Sequence, residues 1–215
     1  MKGMLTAAEV AGLLAPFGVS LDDGQVDYVL VYLDLLLRWN ERINLTAVRS
    51  PEECVRRHFG ESLFLGRWIE LRGRLLDVGS GAGFPGLALK LISGEMTTVL
   101  LEPVAKKRSF LKEVVRRCSL RGVEVTGERL EEFARSSGAG QFDFVTMRAV
   151  GGLGDSIPLA TRLLVGGGKL CLWLGKDQVS SAVGESVPLV WRDPIPIPLS
   201  RKRVLLIGER IASGL

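Results

Sequence analysis

The fold is decided by the stretch Arg74-Leu75-Leu76-Asp77-Val78-Gly79-Ser80-Gly81-Ala82-Gly83-Phe84-Pro85-Gly86. Its apolar start and the acid at position 77 predict a buried strand. The alternating glycines after it predict a bend that leads directly into a helix. Glycine allows positive φ angles at such a bend and lets a ligand approach the backbone closely. Because open α/β sheets bind ligands where a strand ends and a helix begins, we expect a ligand at this loop.

Two classes of ligand compete for the loop. Residues 81–86 match the Gly-x-Gly-x-x-Gly pattern of dinucleotide-binding proteins, and Glu102 follows about 20 residues later, as that pattern requires. The match, however, begins after the turn has already started at Gly79. Asp77 would repel a pyrophosphate but attract the ammonium group of a methionine moiety. No substrate domain remains once the sheet is built. The residues therefore favour an S-adenosylmethionine-dependent methyltransferase, with a nicotinamide dehydrogenase as the alternative.

Downstream of the loop, strands alternate with helices. Strands are predicted over 74–78, 97–101, 122–126, 142–147, 169–174, 189–195 and 204–208, and helices over 85–92, 104–119, 130–136, 153–165 and 176–186. This alternation indicates a parallel sheet with helices on both faces. The last two strands leave no room for a helix between them, so they are predicted to form an antiparallel hairpin. Residues 194–198 suit an edge strand, because proline cannot donate to a ladder. We predict an α/β fold of the class I methyltransferase type: a Rossmann-like, mostly parallel, seven-stranded sheet with an antiparallel C-terminal hairpin.

Residues 1–72 are predicted to form a helical N-terminal extension in front of a methyltransferase domain at 73–215. Thr6 followed by Glu9 is a capping box for a first helix that runs to about residue 16. Ser20 and Asp23 mark the start of a second, amphipathic helix to about residue 39. Ser50, followed by proline and two glutamates, predicts the start of a third helix.

The composition is that of an ordinary globular protein, with 47% hydrophobic and 24% charged residues in a chain of 215. No apolar run has membrane length and the N-terminus lacks the layout of a secretory signal, so we expect a cytoplasmic protein without membrane contact. Cys54, Cys118 and Cys171 lie far apart and are expected to be reduced core thiols. With one histidine, no metal site is expected. Nothing indicates an obligate oligomer, so we expect a monomer.

The basic residues are clustered, although the net charge is only +4. Clusters occur over 38–57, 106–121 and 201–203. Basic clusters attract polyanions, which makes RNA or DNA a candidate partner. Lys106, Lys107 and Arg108, at the start of a predicted helix, are candidates for phosphate contacts.

Further candidate site residues follow the later strands. Glu102 ends the second strand, where an acid can accept both ribose hydroxyls of a cofactor. Leu130 and Glu131 follow the third strand, at the turn that faces an adenine ring in this fold. Arg148 follows the fourth strand, where it is placed either to fix the cofactor or to position an acceptor base or phosphate. The lone His58 is either a structural hydrogen-bonding residue or a residue near the acceptor.

Several short motifs point to one family. They are Trp39-Asn40, Asn44-Leu45-Thr46, Arg57-His58-Phe59, Ser62-Leu63, the loop 77–86, Lys107-Arg108, Phe110-Leu111, residues 129–133 and Arg148-Ala149. Over roughly residues 33–208 the chain resembles the bacterial small-subunit ribosomal RNA guanine-N7 methyltransferases, also called glucose-inhibited division protein B. The glycine loop alone indicates a methyltransferase, whereas the Asn-Leu-Thr and Arg-His segments with Gly-Phe-Pro-Gly are specific for this family.

The resemblance implies S-adenosylmethionine as cofactor and N7 of a guanine in small-subunit (16S) ribosomal RNA, free or in a 30S-type particle, as acceptor. Guanine N7 carries a lone pair and no proton, so no general base is expected. The family's cofactor contacts carry over to Gly79, Phe84, Leu130, Glu131 and Arg148, and the loop argument adds Asp77, Gly81 and Glu102. Contacts with the RNA are expected at His58, Lys106, Lys107, Arg108 and Arg148.

The sequence departs from the family pattern in three respects. Glu102 stands where a shorter aspartate is expected, Thr146 stands where serine is common, and Gly175-Lys176 reverses a usual Lys-Gly pair. None of them lies in the loop 77–86. A methyltransferase that acts on a small molecule remains an alternative, and the basic clusters argue against it.

Overall fold

The computed structural model describes residues 5–149 and 151–212, which form one central β-sheet with helices on both faces. Its strands are β1 (Arg74–Val78), β2 (Thr97–Leu101), β3 (Val123–Thr126), β4 (Phe142–Arg148), β5 (Leu164–Gly175), β6 (Leu189–Trp191), β7 (Ile195–Pro196) and β8 (Arg203–Arg210). The sheet order is β3-β2-β1-β4-β5-β8-β6, and β7 also pairs with β8. Strands β1 to β5 pair in parallel, whereas β8 runs antiparallel to β5, β6 and β7.

The helices connect the parallel strands and build the N-terminal extension. They are α1 (Ala7–Leu14), α2 (Asp23–Ile43), α3 (Pro51–Cys54), α4 (Glu61–Leu63), α5 (Gly86–Ile92), α6 (Ala105–Arg117), α7 (Leu130–Ser136), α8 (Leu153–Leu163) and α9 (Val179–Val183). A π-helical segment, Val55–Gly60, joins α3 to α4, and 3₁₀ turns lie at Ala15–Phe17, Phe64–Arg67 and Lys176–Gln178. Within the described ranges, no helix is both long enough and apolar enough to span a bilayer.

The predicted fold class is confirmed, and the sheet differs from the prediction in two places. The strand predicted over 189–195 is two short strands, β6 and β7, because Pro194 has no N–H to continue the ladder between them. The sheet therefore has eight strands rather than seven. Strand β5 begins at Leu164, well before the predicted residue 169, and α8 ends before it. Gly166, Gly167 and Gly168 lie at an irregular register with β4, which hid this part of the strand from the sequence pattern.

The three helix starts predicted for residues 1–72 agree with the structure, apart from one capping residue. The Thr6 side chain caps α1 and the Ser50 side chain caps α3. The second helix, α2, begins at Asp23 as predicted, but Ser20 does not cap it. Asp22 is the N-cap of α2, because its side chain accepts from the backbone N–H of Gln25 at 2.8 Å while the Gln25 side chain accepts from the N–H of Asp22.

The N-terminal helices share a hydrophobic core with the sheet. One apolar cluster contains Val29 and Leu36 of α2 together with Leu87 of α5 and Phe110 of α6. A division of the chain at residues 72 and 73 remains a prediction, and residues 1–4 and 213–215 of those two ranges lie outside the described part. Cys54, Cys118 and Cys171 are buried free thiols, as predicted.

Candidate active site

The glycine loop bends the chain between β1 and α5. Gly79, Gly81 and Gly83 have φ angles of 68°, 56° and 86°, a region that favours glycine. A Cβ at Gly83 would lie 2.1 Å from the Tyr32 hydroxyl oxygen, so that position also has no space for a side chain. The loop is closed by hydrogen bonds from the N–H of Ser80 to the carbonyl of Leu101 at 3.0 Å and from the N–H of Gly83 to the carbonyl of Ser80 at 2.6 Å.

Asp77 ends β1 with a fully buried carboxylate. Its Oδ1 accepts from the Thr146 hydroxyl of β4 at 2.7 Å, whereas Oδ2 is buried and has no hydrogen-bond partner among the described residues. Burial raises the pKa of Asp77 from 3.8 to about 6, and the hydrogen bond from Thr146 lowers it in part. A Cβ at Gly86 would lie 2.7 Å from Oδ2, so the glycine makes room for this carboxylate. A buried oxygen without a donor is a site for a cationic or N–H group of a ligand.

Glu102 ends β2 and reaches back to the glycine loop. Its Oε2 accepts from the N–H of Gly81 and its Oε1 accepts from the N–H of Val104, both at 2.8 Å. Glu102 thereby joins the loop after β1 to the segment after β2. A carboxylate has about four lone-pair positions, so Glu102 can also accept from hydroxyl groups of a ligand.

Phe84 lies in a stack of aromatic rings behind the loop. Its ring stacks on Tyr32 with centroids 5.1 Å apart and an interplanar angle of 7°, and on His58 with centroids 4.9 Å apart. Phe59 packs edge-on against it at 5.0 Å. Tyr32 of α2 also donates to the carbonyl of Ala82. Residues of the N-terminal extension thus hold the Phe84 ring and the Ala82 carbonyl of the glycine loop.

His58 is neutral at physiological pH. Burial is the main cause that lowers its pKa from 6.5 to about 3, and the charges of Arg148, Arg57 and Arg203 act in the same direction. Its Nε2 lies 2.8 Å from the Thr46 hydroxyl. An imidazole in this state cannot attract a phosphate by charge, so the contact with RNA predicted for His58 would have to be a neutral one.

Arg148 is the last residue of β4, one position later than the predicted end of that strand, and it is held by the N-terminal extension. Its Nη2 donates to the carbonyl of Arg57 at 2.7 Å and to Oε2 of Glu61 at 3.0 Å. Burial lowers the pKa of Arg148, and the Glu61 carboxylate raises it. Its Nη1 is buried and makes no hydrogen bond within residues 5–149 and 151–212. Strands β1 and β4 are parallel neighbours, with Val78 paired to Met147. Asp77 and Arg148 therefore both lie at the carboxyl ends of the parallel strands.

The remaining predicted residues lie around the same sheet edge. Leu130 is buried and Glu131 is exposed at the start of α7, after β3. Lys106 is exposed and Lys107 is half-buried in the first turn of α6, after β2. Arg108 donates from Nη1 to the carbonyls of Glu102 and Pro103 at 3.0 and 2.6 Å, so its guanidinium supports the loop between β2 and α6.

A groove of about 390 Å³ lies between α2 and α6. It is lined by Leu35, Arg38, Trp39, Arg42, Ile43, Glu113 and Arg117. Asp34 pairs with Arg38, and Glu113 pairs with Arg116, so the groove and its rim carry an excess of positive charge. The basic clusters predicted over 38–57 and 106–121 therefore meet in one place.

Sequence reasoning missed Tyr32, Glu61 and the role of Thr146. Tyr32 was hidden because it sits in an amphipathic helix where any large apolar residue would fit the pattern. Glu61 had no motif of its own, although its position just after the Arg-His segment was a signal. Thr146 was noted only as a departure from serine, and it keeps the hydroxyl that Asp77 needs.

The unpartnered atoms fit the methionine moiety of S-adenosylmethionine. That moiety carries an ammonium group and a carboxylate, and the site offers a buried acceptor, Asp77 Oδ2, and a buried donor, Arg148 Nη1. A pyrophosphate would instead meet the Asp77 carboxylate directly and be repelled by it. The observed chemistry therefore agrees with this cofactor rather than with a dinucleotide.

Comparison with known proteins gives the same result. The family profile of rRNA small subunit methyltransferase G (GidB) matches residues 25–185. Ribosomal RNA small subunit methyltransferase G of Syntrophotalea carbinolica is 38% identical over 165 residues, which cover 77% of this chain and 76% of that protein. The protein of the same name from Roseiflexus castenholzii is 34% identical over 215 residues, which cover 95% of this chain and 91% of its own.

Solved structures support the fold. A SAM-dependent methyltransferase from Aquifex aeolicus matches 78% of this chain and 97% of its own with a TM-score of 0.63 and 14% identity. P. horikoshii TYW2 in complex with MeSAdo matches 73% of this chain and 63% of its own with a TM-score of 0.58 and 13% identity. The fold is that of the class I methyltransferases, S-adenosylmethionine is the cofactor, and the chain belongs to the rRNA small subunit methyltransferase G (GidB) family.

Proposed function

We propose that the chain transfers a methyl group from S-adenosylmethionine to N7 of a specific guanine in small-subunit (16S) ribosomal RNA. The pair of unpartnered buried atoms, Asp77 Oδ2 and Arg148 Nη1, carries the proposal, because it matches the cofactor's ammonium and carboxylate at the edge where the methyl group must be presented. Family membership supports the acceptor RNA.

The cofactor is proposed to lie across the ends of β1 to β4. Asp77 binds its ammonium and Arg148 its carboxylate, both through charge-assisted hydrogen bonds. Gly79 and Gly81 let the backbone come close, and Glu102 accepts from the ribose hydroxyls. Leu130 and Glu131 face the adenine ring. Phe84 is the last residue of the proposed set, and it acts by fixing the loop through its aromatic stack.

Methyl transfer to guanine N7 needs alignment more than proton transfer. S-adenosylmethionine supplies an electrophilic methyl group on a positively charged sulfur. The N7 lone pair is already free, so the chain has only to hold the base in line and exclude water, and orientation of this kind supplies up to about 7–11 kcal/mol of a barrier. The pKa of His58, lowered by burial to about 3, makes it a weak base, which agrees with a reaction that needs none. The base must be exposed or flipped out of the RNA to reach the site.

The RNA is proposed to lie along the face that carries α2 and α6. Lys106 and Lys107 begin α6 beside the cofactor loop, and the groove with Arg42 and Arg117 extends the same surface. Trp39 in that groove offers an aromatic face for an unpaired base. We also propose that the protein acts as a monomer in the cytoplasm, where ribosomal subunits are assembled.

The proposal is tested by methyl transfer from tritiated S-adenosylmethionine to small-subunit ribosomal RNA, 30S-type particles and bulk transfer RNA in parallel, followed by nucleoside analysis. Label in 7-methylguanosine from ribosomal RNA or particles is expected. Absence of transfer to any RNA, with measurable cofactor binding, would contradict the RNA substrate and favour a small-molecule acceptor.

The RNA surface is tested by charge reversal. Lys106→Glu with Lys107→Glu should weaken binding to small-subunit RNA about tenfold or more at low salt and reduce its salt dependence, because phosphate contacts release counterions. Affinity for S-adenosylmethionine should stay unchanged. Arg72→Glu is the control, since Arg72 is exposed just before the amino end of β1, on the opposite edge of the sheet. Equal losses of RNA affinity in the double variant and in Arg72→Glu would contradict the assignment of this surface to RNA binding.

A further inference from the structure

Glu61 binds two arginine side chains that come from different strands. Its carboxylate is only 2% exposed. Oε2 accepts from Nη2 of Arg148 at 3.0 Å, and both oxygens accept from Arg203 at the start of β8, with Oε1 to Nη2 at 2.5 Å and Oε2 to Nε at 3.2 Å. The contact with Arg203 is bidentate, which fixes the plane of the carboxylate as well as its position.

The backbone of Glu61 is anchored at the same place. The indole N–H of Trp173 in β5 donates to the carbonyl of Glu61 at 2.8 Å. Trp173 pairs with Arg148 across the sheet and with Leu205 of β8 on its other side. Glu61 thus ties the N-terminal extension to β4, β5 and β8 at the edge of the sheet where the cofactor is bound.

Glu61 supplies the negative charge between Arg148 and Arg203. The side chains of Arg148 and Arg203 are 15% and 33% exposed, and they would repel each other if the carboxylate between them were neutral. Arg57 adds a third positive charge that acts on Arg148. A guanidinium held on one side by a fixed carboxylate presents its other side in one orientation, because the fork is planar and rigid. Here the fixed side is Nη2, and the free atom is Nη1.

We propose that Glu61 is a positioning residue for the cofactor: it fixes Arg148 so that Nη1 is directed at the carboxylate of the methionine moiety. The proposal rests on the contact between Arg148 and the cofactor given above. It assigns the N-terminal extension a part in cofactor binding, in addition to any contact with RNA. It also gives a reason for the burial of the Glu61 carboxylate, which supports an arginine 87 positions later in the sequence.

The test measures binding of S-adenosylmethionine to the full chain by calorimetry, in Glu61→Gln, Arg148→Gln and the double variant. Glu61→Gln should weaken binding about 10- to 100-fold, the range of a lost charge-assisted hydrogen bond. The double variant should bind no more weakly than Arg148→Gln alone, because Glu61 acts through Arg148. A merely structural role would make the two losses multiply, and this result would overturn the proposal. Unchanged binding in Glu61→Gln would do the same.

Two further variants keep the test decisive. Glu70→Gln removes an exposed carboxylate that also pairs with an arginine, Arg72, and should leave binding unchanged. If Glu61→Gln does not fold, Glu61→Asp keeps the charge with a side chain one methylene shorter. It should bind more tightly than Arg148→Gln, and binding as weak as that of Arg148→Gln would overturn the proposal. Unchanged binding in Arg148→Gln would refute the Arg148 contact itself, whereas failure of the proposed reaction would appear only as absent methyl transfer to RNA.

Discussion

Replacing Asp77 with asparagine should weaken cofactor binding. It should also remove a destabilisation of the folded protein that depends on pH. The pKa of the carboxyl is raised by burial from 3.8 to about 6. At about 1.36 kcal/mol per pKa unit, the ionised group destabilises the folded state by about 3 kcal/mol above pH 6. An asparagine amide at the Oδ2 position lacks a partner and costs about 1–3 kcal/mol. At pH 7.5 the unliganded variant should therefore be as stable as the original protein or up to about 2 kcal/mol more stable.

The sign of the pH dependence follows from linkage. Between pH 3.8 and about 6, folded Asp77 keeps a proton that the unfolded chain has lost, so its contribution to stability falls as the pH rises and stays low above pH 6. The stability of Asp77→Asn minus that of the original protein should grow by about 2–3 kcal/mol from pH 4 to pH 7. The contribution of other groups, including His58, cancels in this difference.

Urea unfolding at a series of pH values measures the difference directly. Calorimetry on the same samples should show S-adenosylmethionine binding weakened about 10- to 100-fold, since a charge-assisted hydrogen bond to the ammonium is lost. Glu113→Gln is the control with the opposite sign, because the hydrogen bond from Arg116 lowers the pKa of that exposed carboxyl. Parallel pH profiles for the original protein and Asp77→Asn, or undiminished cofactor binding, would refute the role given to Asp77.

Three further substitutions probe the surroundings of the loop. Gly86→Ala places a Cβ 2.4 Å from that of Asp77, so it should lower the free energy of unfolding in urea by about 1–3 kcal/mol and weaken cofactor binding. Gly12→Ala, in open space on α1, is the control and should change neither quantity. Equal effects of the two substitutions would contradict the steric reason. Tyr32→Phe keeps the aromatic stack but loses the hydroxyl that binds the loop, and should lower stability by about 1 kcal/mol in the same assay. His58→Asn should leave the pH profile of methyl transfer between pH 6 and 8 unchanged in shape, because the pKa of about 3 lies below that range; loss of a titration near pH 6.5 would show that His58 is charged.

Most of the sheet, and the glycine loop at which the candidate site is placed, could be predicted from the sequence. Strand β1, the glycine bend and α5 follow from a local pattern in which each residue type has a backbone reason. Their neighbours β2 and β4 follow from the alternation of strands and helices. The errors came where local signals conflict with pairing. Glycines 166–168 mark a break in the sequence pattern, yet β5 runs through them, because Leu164 and Lys169 pair with β4 on either side.

The charge partners of the site could not be predicted in the same way. Glu61 and Arg148 are 87 positions apart, and no spacing rule connects them. Tyr32 reaches the loop only because α2 packs over α5 and α6, a result of tertiary packing. Arg108 appeared as one of three adjacent basic residues, and only its distance to the Glu102 and Pro103 carbonyls separates it from Lys106.

The site combines two buried groups of opposite charge that are incompletely paired in the protein alone. Asp77 lacks a donor at Oδ2 and Arg148 lacks an acceptor at Nη1 among the described residues, and burial disfavours the charged form of both. A zwitterionic ligand satisfies both at once, so its binding should raise stability by the usual mass-action relation and also remove the penalty on ionised Asp77. Glu61, Tyr32 and the His58 ring all come from residues 1–72, so the cofactor site proposed above includes part of the N-terminal extension. Cofactor binding and docking of the extension are therefore expected to strengthen each other.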